Sequence, residues 1–253
     1  MSSEPKNITV LYLGPKNRPG VYTEDLEQQK RAASALGAEF ILYDGGNDGE
    51  LIEALKGADV AMNQGHGLSP DLFVHIGNNG RCKGLVSFGH GYDGMDLVAA
   101  ANNGVILANT ASFGTVEVSN QTMMHFLVCS RKFVLHDKLV KNGVWTREHL
   151  APMGHIAGQT FGIIGLGDIG RAVARKALAF GMHVIAYDPY VSSWDAKEYG
   201  VETVASYQEI ATRSDYISLH VYLTDDTHHM VNADFFRLMK PTAYLINCSR
   251  GPV

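Results

Sequence analysis

The sequence contains few cysteines, and their placement excludes two classes of protein. Cys82, Cys129 and Cys248 are the only cysteines among 253 residues, and they form no Cys-x-x-Cys pair. An odd number of widely spaced cysteines argues against a disulfide framework and against a structural zinc site. The sequence therefore predicts reduced thiols and no metal centre.

Long apolar runs are missing as well. No segment approaches the roughly 18 uncharged residues that a membrane span requires. The first residues, MSSEPKNITV, lack the basic and apolar regions of a secretion signal. We therefore expect a cytoplasmic protein that has no membrane partner.

Neither sign of charge is in large excess. The formal net charge is −5 at pH 7, and the 21 Lys and Arg residues form no stripe. A nucleic-acid partner would favour a basic surface, so the sequence predicts none. The 45% hydrophobic and 19% charged residues are the balance of an ordinary globular protein.

The first part of the chain alternates short apolar runs with longer amphipathic segments. Strands are predicted at NITVLYL, EFILYD, ADVAMN, KGLVSF and GVILAN, and helices at 22–36, 48–56, 70–78 and 96–102. Such alternation indicates βαβ units and a parallel sheet. We expect Ser69 and Asp96 to cap the third and fourth helices.

The alternation is interrupted at 115–141, where apolar residues recur at helical spacing. A single helix of that length typically connects two domains, and Asn142-Gly143 is predicted to end it. A second series follows, with strands at TFGIIG, HVIAYD, VETV, DYISLH and AYLIN and helices at 169–180, 207–211 and 233–239. We therefore predict an α/β protein with two Rossmann-like parallel-sheet domains, at 1–110 and 111–253.

The most informative motif, FGIIGLGDIGRAVARKALAFGMHVIAYDPY, opens the second series. Gly165, Gly167 and Gly170 follow an apolar strand and open a helix, and Asp188 ends the next strand. A lone GxGxxG is a weak signal, because glycines mark any tight turn. The complete strand, glycine loop, helix and acidic residue are typical of dinucleotide binding.

Each part of this motif has a physical role in binding a dinucleotide. The glycines allow a tight turn, close approach of the backbone to a pyrophosphate, and close packing of helix on strand. The helix N terminus at Asp168 and Ile169 offers amide groups to phosphate. Asp188 is expected to accept hydrogen bonds from the adenosine ribose and to repel a 2′-phosphate. We therefore predict NAD rather than NADP as the cofactor.

Two further stretches extend this motif into a family resemblance. GLVSFGHGYDGMDLVAAANNGVILANT and SDYISLHVYLTDDTHHMVNADFFRLMKPTAYLINCSRG resemble the NAD-dependent D-2-hydroxyacid dehydrogenase family. The resemblance implies a flavodoxin-like substrate domain followed by a Rossmann-type NAD-binding domain. It also implies a homodimer that interconverts small 2-oxoacids and D-2-hydroxyacids.

The resemblance also assigns residue roles. Arg250 in NCSRG corresponds to the family's Asn-x-x-Arg-Gly arginine, which holds the substrate carboxylate and carbonyl. The loop Gly89-His90-Gly91 would offer amide groups to the same carboxylate, although its residues alone are equally consistent with a simple turn. His220 is expected to touch the coenzyme or to be a core histidine. Cys248 is expected to pack or to contact the nicotinamide ribose.

One gap and two departures accompany the resemblance, and one of the departures is Tyr222, which lies where a proline commonly follows the strand ending in His220. In the family a glutamate and an acid/base histidine follow Asn-x-x-Arg-Gly, and none follows Arg250 here. We therefore expect a truncated member whose NAD-binding domain is incomplete and which is inactive alone. A catalytically silent NAD(H)-binding protein is the alternative. The residues Val118-Ser119-Asn120 replace the family's usual Val-Ala-Glu.

The remaining histidines carry weaker hypotheses. His66 lies in another Gly-His-Gly sequence after a predicted strand. A surface loop histidine is the favoured interpretation, and a place near the substrate is the alternative. His228 and His229 are adjacent, so their side chains are expected to diverge, which argues against a metal pair.

Overall fold

The computed structural model describes residues 8–14, 23–43, 45–146, 148 and 153–253. The chain divides into two compact units, Met1–Phe113 and Gly114–Val253, which we call unit 1 and unit 2. The boundary predicted from the sequence lies at residue 110. No helix in the described ranges has the length and apolar character needed to cross a membrane.

Unit 1 contains a five-stranded parallel sheet in the order β2-β1-β3-β4-β5. Its strands are β1 (Thr9–Leu13), β2 (Glu39–Tyr43), β3 (Val60–Asn63), β4 (Gly84–Ser87) and β5 (Ile106–Asn109). Its helices are α1 (Thr23–Ala35), α2 (Asp48–Gly57) and α3 (Leu97–Asn102). This strand order is that of the flavodoxin-like fold, as predicted.

Side-chain hydrogen bonds cap the starts of α2 and α3 in unit 1. Asn47 and Glu50 form a capping box at the start of α2. Asp96 accepts a hydrogen bond from the Ala99 N–H and caps α3, as predicted.

The predicted helix at 70–78 is confirmed only at its start, since Ser69 occupies the N-cap position before Pro70 but no α-helix follows. Two short 3₁₀ segments, Pro70–His75 and Gly77–Asn79, form instead, and the Ser69 side chain makes no capping hydrogen bond. Gly77 adopts a φ of +66°, and a Cβ there would lie 2.0 Å from the Asn103 carbonyl oxygen. A left-handed residue cannot continue a right-handed helix, so the backbone turns at this glycine.

Unit 2 contains a second five-stranded parallel sheet in the order β10-β9-β6-β7-β8. Its strands are β6 (Thr160–Ile164), β7 (His183–Tyr187), β8 (Glu202–Thr203), β9 (Tyr216–Leu219) and β10 (Tyr244–Asn247). Its helices are α4 (Thr115–Ser130), α5 (Phe133–Lys141), α6 (Asp168–Ala179), α7 (Ser193–Glu198), α8 (Tyr207–Arg213) and α9 (Ala233–Leu238). Counted from β6, this is the Rossmann order, so the predicted class of two parallel α/β sheets is confirmed.

The single long helix predicted at 115–141 is wrong, because α4 and α5 are separate. Lys132 between them adopts a left-handed conformation with φ 50°. The Arg131 and Lys132 amides donate to the Leu127 and Cys129 carbonyls, which closes the end of α4. Apolar spacing continues on both sides of this break, so periodicity alone did not reveal it. Gly143, at φ 71°, ends α5 as predicted.

The short helix α7 is absent from the sequence-based prediction. The Ser192 side chain accepts a hydrogen bond from the Asp195 N–H and caps the helix. The pattern Ser-x-x-Asp at this place was an available signal for a helix start.

The sheet of unit 2 is covered by apolar side chains on both faces. Consecutive residues of its strands belong to different clusters, Ile163 to one and Ile164 to the other. Val184 and Ile185 divide in the same way. Successive side chains of a strand point to opposite faces, so the strands of unit 2 are buried on both sides, as is typical of parallel sheets.

Candidate functional site

Four of the predicted site elements of unit 2 lie just beyond the carboxyl ends of its strands. The glycine loop follows β6, Asp188 follows β7, His220 follows β9, and Arg250 lies three residues beyond β10. The strands are parallel, and Ile164 pairs with both Tyr187 and Leu219. The structure therefore brings these elements to one edge of one sheet.

This edge contains the point at which the strand order of unit 2 reverses. The chain moves from β6 to β7 on one side, and β9 then pairs with the other side of β6. In open α/β sheets, ligands bind in the crevice at such a reversal. The glycine loop and His220 therefore flank the expected ligand crevice of unit 2.

The glycines of the loop have the three properties that the motif requires. Gly165 has a φ of +95°, and a Cβ there would lie 2.6 Å from the His220 carbonyl oxygen. A Cβ on Gly170 would lie 2.2 Å from the Gly165 carbonyl oxygen, so α6 packs directly on the loop. A Cβ on Gly167 would meet nothing within 4 Å. The loop is thus tightly packed at two glycines and open at the third.

The helix α6 begins directly after this loop. Gly167 occupies the N-cap position, Asp168 is the first helical residue, and no described side chain caps the helix. The amides of a first turn have no partner within the helix, and they carry partial positive charge. The N terminus of α6, including Asp168 and Ile169, therefore offers amides to an anion at the open side of Gly167.

Asp188 is held by two backbone amides. One carboxylate oxygen accepts from the Leu166 N–H at 2.7 Å, and the other accepts from the Tyr190 N–H at 2.9 Å. The bond to Leu166 joins the end of β7 to the glycine loop. The sequence did not reveal this second role, because the spacing of the motif says nothing about which loop amide the carboxylate meets.

His220 is neutral at physiological pH. Its Nε2 lies 2.9 Å from the Ser218 Oγ, and Ser218 is fully buried. Burial lowers the pKa of His220 from 6.5 to about 4, because the imidazolium is poorly solvated there. At pH 7 the ring can donate or accept a hydrogen bond but carries no positive charge.

Arg250 lies in a loop that is folded onto the end of β10. The Asn247 side chain donates to the Arg250 carbonyl oxygen at 2.8 Å and accepts from the Ser249 N–H at 2.9 Å. The Arg250 side chain is half-buried, and its Nη1 donates to the Ser249 carbonyl oxygen at 3.0 Å. Asn247 was missed by the sequence-based site prediction, although it is the asparagine of the Asn-x-x-Arg-Gly sequence.

Cys248 is a free, half-buried thiol in the same loop. It packs against the apolar cluster that includes Phe161 and Ile246. Packing was one of the two roles predicted for this residue, and the contact with a nicotinamide ribose stays a prediction.

In unit 1, the loop Gly89-His90-Gly91 is held by its carbonyl oxygens. Thr110 N–H donates to Gly89 at 3.2 Å, and Ser87 Oγ donates to Gly91 at 2.7 Å. The Gly89 and Gly91 amides donate no hydrogen bond within the part of the chain that the structure describes. The loop is therefore more than a free turn, and it has amide donors to offer an anion.

His66 is buried, so its interpretation as a surface loop histidine is wrong. The side chain is only 3% exposed, and its Nδ1 lies 3.0 Å from the Gly14 carbonyl oxygen. The ring also packs edge-on against Tyr43. The glycines beside His66 are typical of surface loops, and the sequence did not reveal that the loop folds back over β1.

His228 and His229 do not diverge, contrary to the prediction from their adjacency. Their ring centroids lie 3.8 Å apart, and His229 has a φ of 55°. The left-handed backbone turns the second ring onto the first. Among the residues described, no group of three or more His, Cys, Asp or Glu side chains is arranged to hold a metal ion.

Comparisons with known proteins agree with this geometry. Residues 123–253 match the profile of the D-isomer specific 2-hydroxyacid dehydrogenase, NAD binding domain. The chain is 36% identical over 203 residues to D-3-phosphoglycerate dehydrogenase of Methanocaldococcus jannaschii, covering 80% of this chain and 38% of that protein. It is 33% identical over 211 residues to glyoxylate reductase of Pyrococcus furiosus, covering 81% and 62%. The matches thus span less than two thirds of these relatives.

A solved structure shows the same relationship across both units. D-Lactate dehydrogenase from Aquifex aeolicus, complexed with NAD and lactic acid, superposes with a TM-score of 0.83 at 28% identity. The match covers 96% of this chain and 69% of that chain. Unit 2 is therefore an NAD-binding domain, and since the profile match covers more than half of the sequence, the chain belongs to the D-isomer specific 2-hydroxyacid dehydrogenase family.

Proposed function

We propose that the protein is an NAD(H)-dependent oxidoreductase that interconverts a small 2-oxoacid and the corresponding D-2-hydroxyacid. One observation carries this proposal: the glycine loop, Asp188 and Arg250 follow parallel strands of one sheet at one edge. This edge combines groups for a dinucleotide with a cation for a carboxylate. Relatives named glyoxylate reductase and D-3-phosphoglycerate dehydrogenase support a small acid as substrate.

The residues present fit a bound NAD. The open space at Gly167 admits a pyrophosphate to the N terminus of α6, and the packed glycines keep that space free of side chains. Asp188 would accept hydrogen bonds from ribose hydroxyls, and its bonds to Leu166 and Tyr190 fix its orientation. When bound, the nicotinamide supplies or accepts the hydride.

Arg250 is the proposed catalytic residue for the acid substrate. A guanidinium can bind a carboxylate through two parallel hydrogen bonds, which fixes its orientation as well as its position. A fixed positive charge beside the carbonyl also stabilises the negative charge that develops on the oxygen when hydride arrives. The Gly89 and Gly91 amides are proposed, by family resemblance, as further donors to the substrate carboxylate.

We assign His220 a role in binding the cofactor rather than the role of the catalytic acid that donates a proton. Its pKa of about 4 leaves it unprotonated at pH 7, so it has no proton to release from an imidazolium. Its ring is instead a neutral hydrogen-bonding group at the end of β9, beside the crevice. The sequence-based prediction that the 253 residues alone bind NAD(H) without turnover stays a prediction.

The test is a titration followed by a rate measurement on the 253-residue protein. NADH binding is measured by fluorescence, and oxamate, an unreactive 2-oxoacid analogue, is then titrated into the complex. Arg250→Lys is expected to keep NADH affinity and to weaken oxamate binding about tenfold or more, because a point charge does not reproduce the two-pronged contact. Arg237→Lys, on the exposed face of α9, is the matched control.

The outcomes separate the two functions proposed for this chain. Oxamate binding that Arg250→Lys weakens would support the oxidoreductase. NADH oxidation with glyoxylate, pyruvate or hydroxypyruvate would support it too, and would contradict the prediction that these 253 residues alone are inactive. Tight NADH binding without oxamate binding or turnover would favour the silent NAD(H)-binding protein. Absence of NADH binding would contradict both.

The homodimer implied by the resemblance is also proposed, with α5 as part of the contact. None of the residues of α5 is buried within the chain, and Phe133, Val134 and Val140 are more than half exposed. Apolar residues grouped on one exposed element are typical of protein interfaces. Light scattering should give a dimer that Val134→Asp dissociates. Location in the cytoplasm stays a prediction.

A further inference from the structure

Three strands of the molecule end in asparagine, and each of these asparagines holds a loop that carries a candidate site residue. The strand ends read VAMN, ILAN and YLIN, and the residues are Asn63, Asn109 and Asn247. Their side-chain amides donate to the backbone carbonyl oxygens of His66, His90 and Arg250, at 3.0, 2.8 and 2.8 Å respectively.

We propose that Asn109 and Asn247 are positioning residues for the acid-binding loops, whereas Asn63 makes the same kind of contact in a loop to which no substrate role is assigned. Each joins the rigid end of a strand to the backbone of a loop through the side-chain amide. The proposal rests on the proposed function, because it concerns the loops assigned to the substrate. None of the three asparagines was among the site residues predicted from the sequence.

Asn247 uses both of its polar atoms on the loop that follows β10. Its Nδ2 donates to the Arg250 carbonyl oxygen, and its Oδ1 accepts from the Ser249 N–H and the Ser249 Oγ, both at 2.9 Å. The Arg250 carbonyl oxygen also accepts from the Val253 N–H at 3.3 Å. The peptide plane before Ser249 and the peptide plane after Arg250 are therefore fixed relative to β10, and the direction of the arginine side chain depends on them.

Asn63 makes the same kind of contact in unit 1, with a buried side chain. Its Oδ1 accepts from the His66 N–H at 2.8 Å, while its Nδ2 donates to the His66 carbonyl oxygen. The backbone of His66 is thus held at both polar groups. The Gly14 carbonyl oxygen can only accept, so the hydrogen bond at His66 Nδ1 requires a proton there. In the neutral ring, Nε2 then carries the lone pair.

Asn109 acts across two neighbouring strands rather than within one loop. It ends β5, and its Nδ2 donates to His90 in the loop after β4. The next residue, Thr110, donates its N–H to the Gly89 carbonyl oxygen. Two adjacent carbonyls of the loop are therefore held by the end of β5, which fixes the peptide planes that contain the His90 and Gly91 amides. The Gly91 amide is one of the two proposed to bind the substrate.

The chemistry of these contacts requires asparagine rather than aspartate. Each site needs an N–H donor directed at a carbonyl oxygen, and the carboxylate of aspartate has only acceptors at neutral pH. Asparagine and aspartate have nearly the same shape. Asn247→Asp therefore removes the donor to Arg250 while keeping the acceptor for Ser249, and Asn247→Ala removes both.

The experiment compares Asn247→Asp, Asn247→Ala and Asn109→Ala with two matched controls. Asn47→Ala removes the cap of α2 in unit 1, and Ser206→Ala removes the cap of α8 in unit 2. Neither control residue belongs to the proposed site. Thermal melting, NADH affinity and oxamate affinity of the NADH complex are measured for each protein, and hydrogen exchange is followed by mass spectrometry.

The site variants are expected to keep NADH affinity within about threefold and to lose oxamate affinity about tenfold, the equivalent of one well-placed hydrogen bond. Exchange should rise in the loop concerned, 247–253 or 88–92. The controls should lower the melting temperature by a similar amount and leave oxamate affinity unchanged. If one Asn247 variant does not fold, the other Asn247 variant tests that loop. If neither folds, Asn109→Ala tests the proposal at the other loop.

Two results would overturn the proposal, and they are distinguishable. If the wild-type protein binds NADH but no oxamate, the proposed substrate class fails and the positioning roles fail with it. If the wild type binds oxamate and the asparagine variants bind it equally well, only the positioning roles are wrong, and the asparagines merely stabilise their loops.

Discussion

The two units have the same kind of sheet, yet they differ at the place where such sheets bind ligands. Each has five parallel strands, and in each the strand order reverses once, between β1 and β3 in unit 1 and between β6 and β9 in unit 2. In unit 2, the reversal is lined by glycine and is followed directly by α6. In unit 1, the buried ring of His66 bonds to the end of β1 at the same place.

This difference gives a physical reason for cofactor binding in unit 2. Only Gly165, Leu166 and Gly167 separate β6 from α6, so the helix N terminus points into the crevice. In unit 1, the buried His66 ring lies beside the end of β1 and bonds to the Gly14 carbonyl oxygen. Both units have the same kind of sheet, so the residues at the reversal are what distinguishes them.

The largest effect is expected from adding one methyl group at the reversal in unit 2. Gly165→Ala places a Cβ 2.6 Å from the His220 carbonyl oxygen at a φ of +95°. Strain and overpacking together should destabilise unit 2 by about 4 kcal/mol and abolish NADH binding. Urea unfolding and NADH fluorescence measure the two effects. The control, Gly167→Ala, meets nothing within 4 Å, and a loss of stability as large as that of Gly165→Ala would contradict this explanation.

The second effect is a loss of stability of unit 2 in acid. The folded-state pKa of His220 is lowered from 6.5 to about 4, so the unfolded chain binds the proton more readily between these values. Stability should therefore fall as pH drops through this window, by about 3 kcal/mol from this residue. His220→Gln should remove that part of the pH dependence. His183→Gln, at an exposed residue of the same unit, should not, and identical pH profiles for wild type and His220→Gln would refute the prediction.

A third, smaller effect is expected at the acidic residue that follows β7. Asp188→Ala removes the proposed acceptor for ribose hydroxyls and the bond to the Leu166 N–H. Charge-assisted hydrogen bonds contribute about 1.5–3 kcal/mol each, so NAD affinity should fall roughly ten- to a hundredfold, and NADP should be affected less. Calorimetric titration measures both ligands. Asp195→Ala, at the exposed start of α7, is the control, and equal NAD affinity for wild type and Asp188→Ala would count against this site.

The smallest effect on cofactor binding is expected from the corresponding place in unit 1. His66→Ala removes the bond to Gly14 and leaves a cavity, so stability should fall by about 2–4 kcal/mol. NADH affinity should stay within about twofold of wild type, because the glycine loop and Asp188 both belong to unit 2. A large loss of NADH affinity in a His66→Ala protein that remains folded would contradict the claim that the cofactor binds in unit 2 alone.

Local patterns of the sequence were sufficient for the strands, the glycine loop and the acidic residue, because their signals lie within a few residues of each other. The break at Lys132, the burial of His66 and the stacking of His228 on His229 were missed, since each depends on one backbone angle or on a distant partner. The bond between Asp188 and Leu166 and the bond between Asn109 and His90 belong to the same class. They join residues whose meeting is set by the fold rather than by spacing.

The central claim is that the cofactor binds at the glycine-lined reversal of unit 2 and not at the corresponding place in unit 1. Hydrogen exchange with and without NADH, read by mass spectrometry on the whole protein, tests it most directly. The account predicts one NADH per chain. Hydrogen exchange should become slower in segments 164–171 and 186–190 and should stay unchanged in segments 9–14 and 60–67. Protection of 9–14 or 60–67, or unchanged exchange in the glycine loop at saturating NADH, would contradict it.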